Sequence, residues 1–394
     1  MKITAIRATP VNIPLEAPYH WSYGALPGFS KTIVEVESDQ GVTGIGEAPS
    51  PGAAKLIAES FAERLIGRDP IDIAGLERLC VPSSRGVQSV VDFETIGAFG
   101  GLDMALWDLR GKLWERPIYD LLGGKVRDRI PFTDYFAYRL SQDGTGGEET
   151  AEAVADYCLG LMETHGTTMF EGKVSDPEPA QAIALVAALR ERLGDRVMIR
   201  IDSNHAYSLA TARQLAPAFE ELGVRNWEDP VGSYEEMAVL ARHTRIPFSS
   251  HNLDLPKAVA LGAPHAIVGN VAGPGGFAQA ARFVGACEAM AVDFWCYSGD
   301  SGIGSAAYLQ LCAALQWIRE PNQSLFRMQP LDVIEEGPFS PRNNVLPVPE
   351  GPGLGVTLSQ ERLAHCHRLF LEDGPMDKYH DPAAPGIFRR LPLS

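Results

Sequence analysis

The sequence predicts an α/β protein: a (β/α) barrel of the TIM type preceded by a smaller α+β domain. Three observations carry that prediction. The opening stretch alternates apolar and polar residues around hairpin turn chemistry. A long segment with apolar residues three and four apart follows it. Beyond Pro131, short apolar segments alternate with amphipathic ones about every 25–30 residues, the rhythm of βα units and a parallel sheet.

The elements follow in chain order. Ile3, Ala5, Val11 and Ile13 read as strand. Thr32-Ile33-Val34-Glu35-Val36-Glu37 alternates cleanly, Asp39-Gln40-Gly41 supplies a turn, and Val42-Thr43-Gly44-Ile45-Gly46-Glu47 returns as the next strand. Between these strands, Pro18-Tyr19-His20-Trp21-Ser22-Tyr23-Gly24 is aromatic and has no period, and reads as a mobile loop. Residues 53–122 are helical in pattern, with Leu102, Ala105, Leu106, Leu109 and Leu113 on one face, and Gly123-Gly124 ends them. The first domain is therefore 1–125.

In 126–345 the strand candidates are 168–170, 197–201, 224–227, 247–249, 266–268 and 292–295. Amphipathic segments such as 180–193 and 209–222 separate them. Roughly 200 residues of this pattern suit a (β/α)₈ barrel. A doubly wound open sheet is the runner-up, disfavoured because no G-x-G-x-x-G follows an early strand. Residues 346–394 contain the turn-rich Pro347-Val348-Pro349-Glu350-Gly351-Pro352-Gly353-Leu354-Gly355 and are expected to pack back on the first domain.

Composition excludes several classes. The chain of 394 residues is 45% hydrophobic and 21% charged, a globular balance. Its net charge of −16 argues against a nucleic-acid partner, which would want a basic face. An anionic small molecule remains compatible, because a bound cation inverts the local field. No apolar run approaches the ~20 residues that span a bilayer, so no membrane role is expected. The opening residues lack a secretory signal, and the six cysteines have no C-x-x-C spacing. Reduced thiols and a cytoplasmic location are the expectation.

In a barrel of this kind, functional residues sit just past the C-terminal end of each strand. The third strand closes on Asp202-Ser203-Asn204, the fourth on Glu228-Asp229-Pro230, and the fifth on His251-Asn252. Hard ligands on three successive strand ends describe a Mg²⁺ site that keeps positions open for substrate. Each carboxylate alone would be a helix cap or a loop acid; the spacing of one βα unit between them favours metal. One strand earlier, Glu171-Gly172-Lys173 puts a lysine at the mouth, where a nearby divalent cation disfavours the ammonium and makes it a usable base.

Ala105-Leu106-Trp107-Asp108-Leu109-Arg110-Gly111-Lys112, with Pro117-Ile118-Tyr119-Asp120-Leu121-Leu122-Gly123-Gly124, closely resembles the N-terminal signature of the enolase superfamily. The nearest branch is that of mandelate racemase, muconate lactonizing enzyme and glucarate dehydratase. Gly41 to Glu47, the D-x-N from Asp202 to Asn204, the W-E-D-P from Trp227 to Pro230, and Ser301-Gly302-Ile303-Gly304 fit the same branch. The resemblance covers nearly the whole chain. It implies a capping α+β domain over a modified barrel, a small-molecule carboxylate substrate, and a lysine or histidine base working with Mg²⁺. Asp202 and Glu228 match the first two family ligands, and Lys173 matches the second lysine of a K-x-K motif. It also implies that the segment with His20, Trp21 and Tyr23 folds over the mouth and helps choose substrate. Family members often assemble as homo-oligomers, so a homo-oligomer is expected.

The sequence departs from the family pattern in three places. Glu171 replaces the leading lysine of K-x-K, and on a strand it faces the same way as Lys173. A carboxylate there raises the lysine pKa unless Glu171 is turned away or neutralised by another partner. The family's His-Asp dyad is missing: strand six closes on Asn270 and strand seven on Tyr297, with Asp300 following. On strand five, either Asn252 or His251 supplies the third ligand. Asn252 is preferred because Mg²⁺ favours oxygen, which leaves His251 free as a general acid.

The expected activity is a Mg²⁺-dependent dehydratase acting on a hydroxy acid, an acid sugar in the first instance. Lys173 takes the α-proton, and His251 or Tyr297 protonates the departing hydroxyl. Asn204, Asn270, Asp300, His20 and Tyr23 are candidate substrate contacts. Tyr135, Tyr138 and Asp134 are expected near the pocket, with Arg139 as a receiver for a second carboxylate. A racemase, epimerase or cycloisomerase with an unusual second group is the runner-up, and a catalytically silent carboxylate binder is the third reading.

Overall fold

The computed structural model describes residues 1–82, 90–297, 299–376 and 384–394. The helical stretch expected over 53–122 includes 83–89, which lie outside the described residues.

The chain opens with an antiparallel sheet of β1 (Ile3–Trp21), β2 (Gly24–Ser38) and β3 (Thr43–Ala48), in that order. β1 tolerates Pro10, Pro14 and Pro18 because it is the edge strand, where a missing N–H costs no central ladder bond. The helix Gln360–Asp373 lies along that edge, and Asn12 Nδ2 donates to the Gly374 carbonyl just past its end at 2.8 Å. β3 packs on the long helix Val90–Leu113, whose Leu102, Ala105, Leu106 and Leu109 are fully buried. The approach is close: a Cβ on Gly44 would stand 2.0 Å from the Ala105 carbonyl oxygen, and one on Gly46 2.1 Å from that of Gly101. This is the physical reason for the glycines in Gly44-Ile45-Gly46.

The aromatic stretch expected as a mobile loop is instead the end of a hairpin. His20 pairs with Ala25 and Trp21 with Gly24. Its burial does alternate, with Ala17, Tyr19 and Ser22 buried and Pro18, His20 and Tyr23 half-buried, but apolar and aromatic side chains fill both faces, so the sequence shows no apolar–polar period. β1 continues onto the barrel, where His20 N–H donates to the Tyr138 carbonyl at 2.8 Å and Tyr19 bridges to Arg139.

The second unit is a curled parallel sheet of β4 (Asp134–Phe136), β5 (Met169–Lys173), β6 (Met198–Asp202), β7 (Asn226–Glu228), β8 (Phe248–Ser250), β9 (Ala266–Gly269) and β10 (Asp293–Cys296), each strand beside the next in sequence. An irregular eighth stave closes it: Gln323 N–H donates to the Cys296 carbonyl at 2.9 Å, and Thr133 N–H to the Asn322 carbonyl at 2.8 Å. The architecture is a modified TIM barrel with an α+β capping domain. β5, β6 and β7 each run past the apolar segment that marks them in the sequence, because their last residues, Lys173, Asp202 and Glu228, are inward-facing polar side chains still held in the ladder. Helices such as Ala151–His165, Pro179–Leu193 and Leu209–Glu221 cover the outside, with Thr150 and Ser208 capping the first and third of these.

Buried polar links join cap to barrel. Glu47 accepts from Ser301 N–H at 2.9 Å, Asp103 accepts from Phe277 N–H at 2.6 Å, and Lys31 Nζ donates to Asp300 at 2.7 Å. The C-terminal stretch divides its packing. Its helix lies on the cap, but Leu393 N–H donates to the Ala206 carbonyl at 2.7 Å, so the last residues reach the barrel mouth. All six cysteines are free and buried. No described helix is long and apolar enough to cross a membrane.

Candidate active site

Strand register assembles the site. Lys173 is the cross-strand partner of Asp202, Asp202 of Glu228, and Glu228 of Ser249. Side chains alternate along each strand, so these strand-end residues all point into the barrel in one layer. Lys173, Asp202 and Glu228 are all buried. Lys173 Nζ donates to Asp202 Oδ2, and Asn204 N–H donates to Asp202 Oδ1 at 2.8 Å. The residues just beyond the strands, Asn204, His205 and Asp229, have φ of 40°, 61° and 39°. Left-handed backbone at non-glycine residues is strained, and it clusters here at the mouth.

The structure places His251 against the carboxylates of Glu228 and Asp229. Its Nδ1 lies 2.9 Å from Glu228 Oε1 and 2.9 Å from Asp229 Oδ2. Asn252, the preferred third ligand on sequence grounds, lies one residue further on, is exposed, and does not line the central cavity. Its backbone carbonyl accepts from the Tyr234 hydroxyl instead. Successive side chains at a strand end face opposite ways, so only one of the two can face Glu228. Asp229, which the sequence reading left without a role, joins Glu228 and His251 in a cluster with metal-ligand spacing.

The donor set fits a divalent cation. Burial, and then the charge of Asp202, push the Glu228 carboxyl up to about 8. Two buried carboxylates on adjacent strands call for positive charge between them. Asn204 Oδ1 and Asp229 Oδ1 are buried acceptors with no hydrogen-bond partner among the described residues. Burial opposes charge on His251, but Asp229 and Glu228 outweigh it and raise its pKa well above the usual value. Lys173 behaves likewise: burial alone would lower its pKa, and the Asp202 carboxylate raises it well above the lysine range. The depressed lysine expected from sequence therefore depends on a cation taking over Asp202.

Glu171 is neutralised rather than turned away. It is fully buried below Lys173, accepts from Gln323 Nε2 at 2.9 Å, and lies 3.6 Å from the Arg200 guanidinium. Gln323 also donates to Glu228 at 2.6 Å. Arg200 stacks on Trp295 at 4.2 Å and closes the barrel floor.

On the strand-seven side, Asn270 Nδ2 donates to the Tyr297 hydroxyl at 3.0 Å. Tyr297 also lies near His251, with ring centroids 6.3 Å apart. Asp300 is buried and pairs with Lys31 of the capping sheet. Lys31, Tyr297, Lys173, Asp202 and Glu228 line one cavity of about 350 Å³. Trp21 separates it from an outer cavity of about 540 Å³, which it shares with His20, Tyr138 and Lys173. His20 therefore faces the outer cavity. Tyr23 packs edge-on against Trp21, with ring centroids 4.9 Å apart. Ser22 Oγ donates to the Asn204 carbonyl at 2.8 Å and pins the hairpin to the metal-side loop. Tyr135 lines the central cavity, whereas Asp134 is held by Thr167 and Arg327. Arg139 is buried between Glu16 and Glu148 and does not line the cavity, so it receives no second carboxylate.

Comparison with known proteins agrees with this geometry. Residues 3–123 match the family described as mandelate racemase / muconate lactonizing enzyme, N-terminal domain. Residues 153–362 match the family described as enolase C-terminal domain-like. A Streptomyces coelicolor protein named probable glucarate dehydratase is 29% identical, over 98% of this chain and 95% of its own length. A chloromuconate cycloisomerase from Pseudomonas putida is 27% identical, over 93% of this chain and all of its own. An enolase from Thermobispora bispora, solved in complex with magnesium and formate, superposes with a TM-score of 0.86 at 26% identity, covering 95% of this chain and 94% of that one. With both domains matched and the strand-end layer in place, the chain belongs to the enolase superfamily, in its mandelate racemase and muconate lactonizing enzyme branch.

Proposed function

We propose that the protein is a Mg²⁺-dependent hydro-lyase that removes the proton α to the carboxylate of a hydroxy acid, an acid sugar, and expels the β-hydroxyl as water. The observation that supports this is one buried layer, Lys173 beside Asp202 beside Glu228, on the wall of a single cavity. Asp202, Glu228 and His251 would hold the metal, with Asn204 and Asp229 adjacent. Bound there, Mg²⁺ supplies the positive charge that makes an α-proton acidic and offsets the enediolate. Lys173 Nζ would take that proton. As the free amine it would do so once the metal has taken over Asp202; its Nζ lies 5.6 Å from the Trp21 ring and 6.0 Å from the Tyr135 ring. Tyr297 would supply the acid, since its oxygen accepts from Asn270 and its own hydrogen is left to give. A dehydration needs one base and one acid, whereas a two-base racemase needs matched bases on opposite faces. The partner is a small carboxylate rather than nucleic acid or membrane.

The test incubates the protein with Mg²⁺ and a panel of acid sugars in ²H₂O. Loss of water to a keto acid supports the reading. Exchange at the α-carbon without loss of water would make the protein an epimerase, and neither would make it a binder.

A further inference from the structure

We infer that the substrate is a monocarboxylate with a neutral hydroxylated tail, an aldonate rather than an aldarate, and that Lys31 of the capping sheet contacts that tail. The inference deepens the hydro-lyase reading and takes its chemistry from it, but the recognition argument stands on the cavity alone.

Among the described residues, the central cavity is lined by two lysines and by no arginine. Lys31 already has a carboxylate, Asp300 at 2.7 Å, and Lys173 belongs to the reacting end beside Asp202. His251 lies against Glu228 and Asp229, on the side that would hold the metal. The metal side accounts for one substrate carboxylate. A second one, at the other end of the molecule, would need surplus positive charge, and the Lys31 end has none. Behind Lys31 lies Glu47 as well as Asp300, two buried acidic groups beside one ammonium, and Asp300 alone already offsets its charge. Burying an unpaired charge there is strongly unfavourable. Arg139, the other candidate receiver, is tied to Glu16 and Glu148 away from the cavity.

The same end suits hydroxyl groups. An ammonium carries three N–H donors, and Asp300 takes one of them. Lys31 lines the cavity, so its remaining donors can meet neutral hydroxyl oxygens without any charge being stranded. The walls between the two ends, Tyr19, Trp21, Leu26 and Phe29, are aromatic and aliphatic surfaces for the C–H faces of a carbon chain. Strand order brings the two ends in from different sides. Lys173 ends β5, whereas Asp300, which holds Lys31, follows β10 at the far end of the sheet.

The test measures calorimetric binding, α-exchange and water loss for matched five- and six-carbon aldonates and aldarates, with the wild-type protein in saturating Mg²⁺. Aldonates should be preferred by about tenfold or more in both Kd and kcat/KM. Lys31→Met should erase the advantage of a fully hydroxylated tail over its deoxy analogue. Asp300→Asn should release positive charge at Lys31 and move the aldarate-to-aldonate ratio about tenfold towards aldarates. The wild-type panel does not depend on either variant folding, and circular dichroism checks both. Aldarates bound or turned over as well as aldonates would overturn this inference and leave the hydro-lyase standing. Tight aldonate binding with neither exchange nor water loss would do the reverse. Binding of neither class would overturn both.

Discussion

At the scale of single residues, the site is governed by which carboxylate each cation has as partner. In the proposed reaction Lys173 takes the α-proton, so Lys173→Ala should abolish both turnover and α-proton exchange, by about 10³-fold or more. Persistence of ²H wash-in in that variant would move the base elsewhere. Tyr297→Phe should act on the other half-reaction, leaving exchange intact while water loss slows. Glu171 carries a third prediction. A carboxylate two residues below the base would ordinarily raise its pKa, and Glu171→Gln would then lower the acidic limb of the kcat/KM profile. The Arg200 guanidinium at 3.6 Å and the Gln323 amide at 2.9 Å already offset that charge. The profile should therefore move little, while the melting temperature falls because buried Arg200 loses a partner. A limb displaced by about one unit or more would show that Lys173 feels Glu171 after all. Lys173, Asp202 and Glu228 were legible in the sequence because each closes a short apolar segment, one βα unit from the next. Lys31 and Gln323 were not. Lys31 meets Asp300 across 269 residues of sequence, and Gln323 sits on a stave with no apolar alternation to mark it.

At the scale of elements, strand length decides what can be read in advance. β8 spans Phe248–Ser250, too short for its pattern to fix the register of the two residues beyond it. Sequence alone therefore left His251 and Asn252 open, and the chemical preference of Mg²⁺ for oxygen pointed to the residue that the strand turns away. Calorimetric titration should show Mg²⁺ affinity falling in Asp202→Ala, Glu228→Ala and His251→Ala and surviving in Asn252→Ala. Loss in Asn252→Ala with retention in His251→Ala would restore the other register. The 18–24 segment misled for a related reason. Apolar–polar alternation marks a strand whose outer face carries polar side chains, and this hairpin end carries His20, Trp21 and Tyr23 at its half-buried positions, where two of them line a cavity. β3 was legible down to its glycines, and their cause is now visible in the helix backbone lying against them. Gly44→Ala or Gly46→Ala would press a methyl to within about 2 Å of a helix carbonyl oxygen. Each should lower the melting temperature by several degrees, and an unchanged melt would mean that β3 and the helix can separate at no cost.

At the scale of the whole molecule, the two-domain plan was legible because each domain has its own periodicity, two and then 3.6 in the cap, and a βα repeat in the barrel. The junction between them was not, because it consists of isolated polar contacts between distant segments, and those have no period. Glu47 is the most informative of them. It stands on β3, accepts from the Ser301 backbone at 2.9 Å, and feels the charges of the Lys31–Asp300 pair. Burial, and then the charge of Asp300, raise its carboxyl to about 8, with Lys31 and the Ser301 hydrogen bonds pulling the other way. In the unfolded chain the same group titrates near 4.5. Between those two values the folded protein holds a proton that the unfolded chain has released. Stability from this group is therefore complete below about pH 4.5 and declines as the pH climbs towards about 8. Glu47→Gln keeps an acceptor for Ser301 and cannot titrate, so it should abolish the decline. The melting temperature of the variant relative to wild type should rise between about pH 5 and pH 8, by on the order of 2–4 °C. Parallel melting curves across that window would show Glu47 ionised throughout. The junction would then be held by two carboxylates on one ammonium, with a net negative charge behind Lys31 that would exclude a second substrate carboxylate still more strongly.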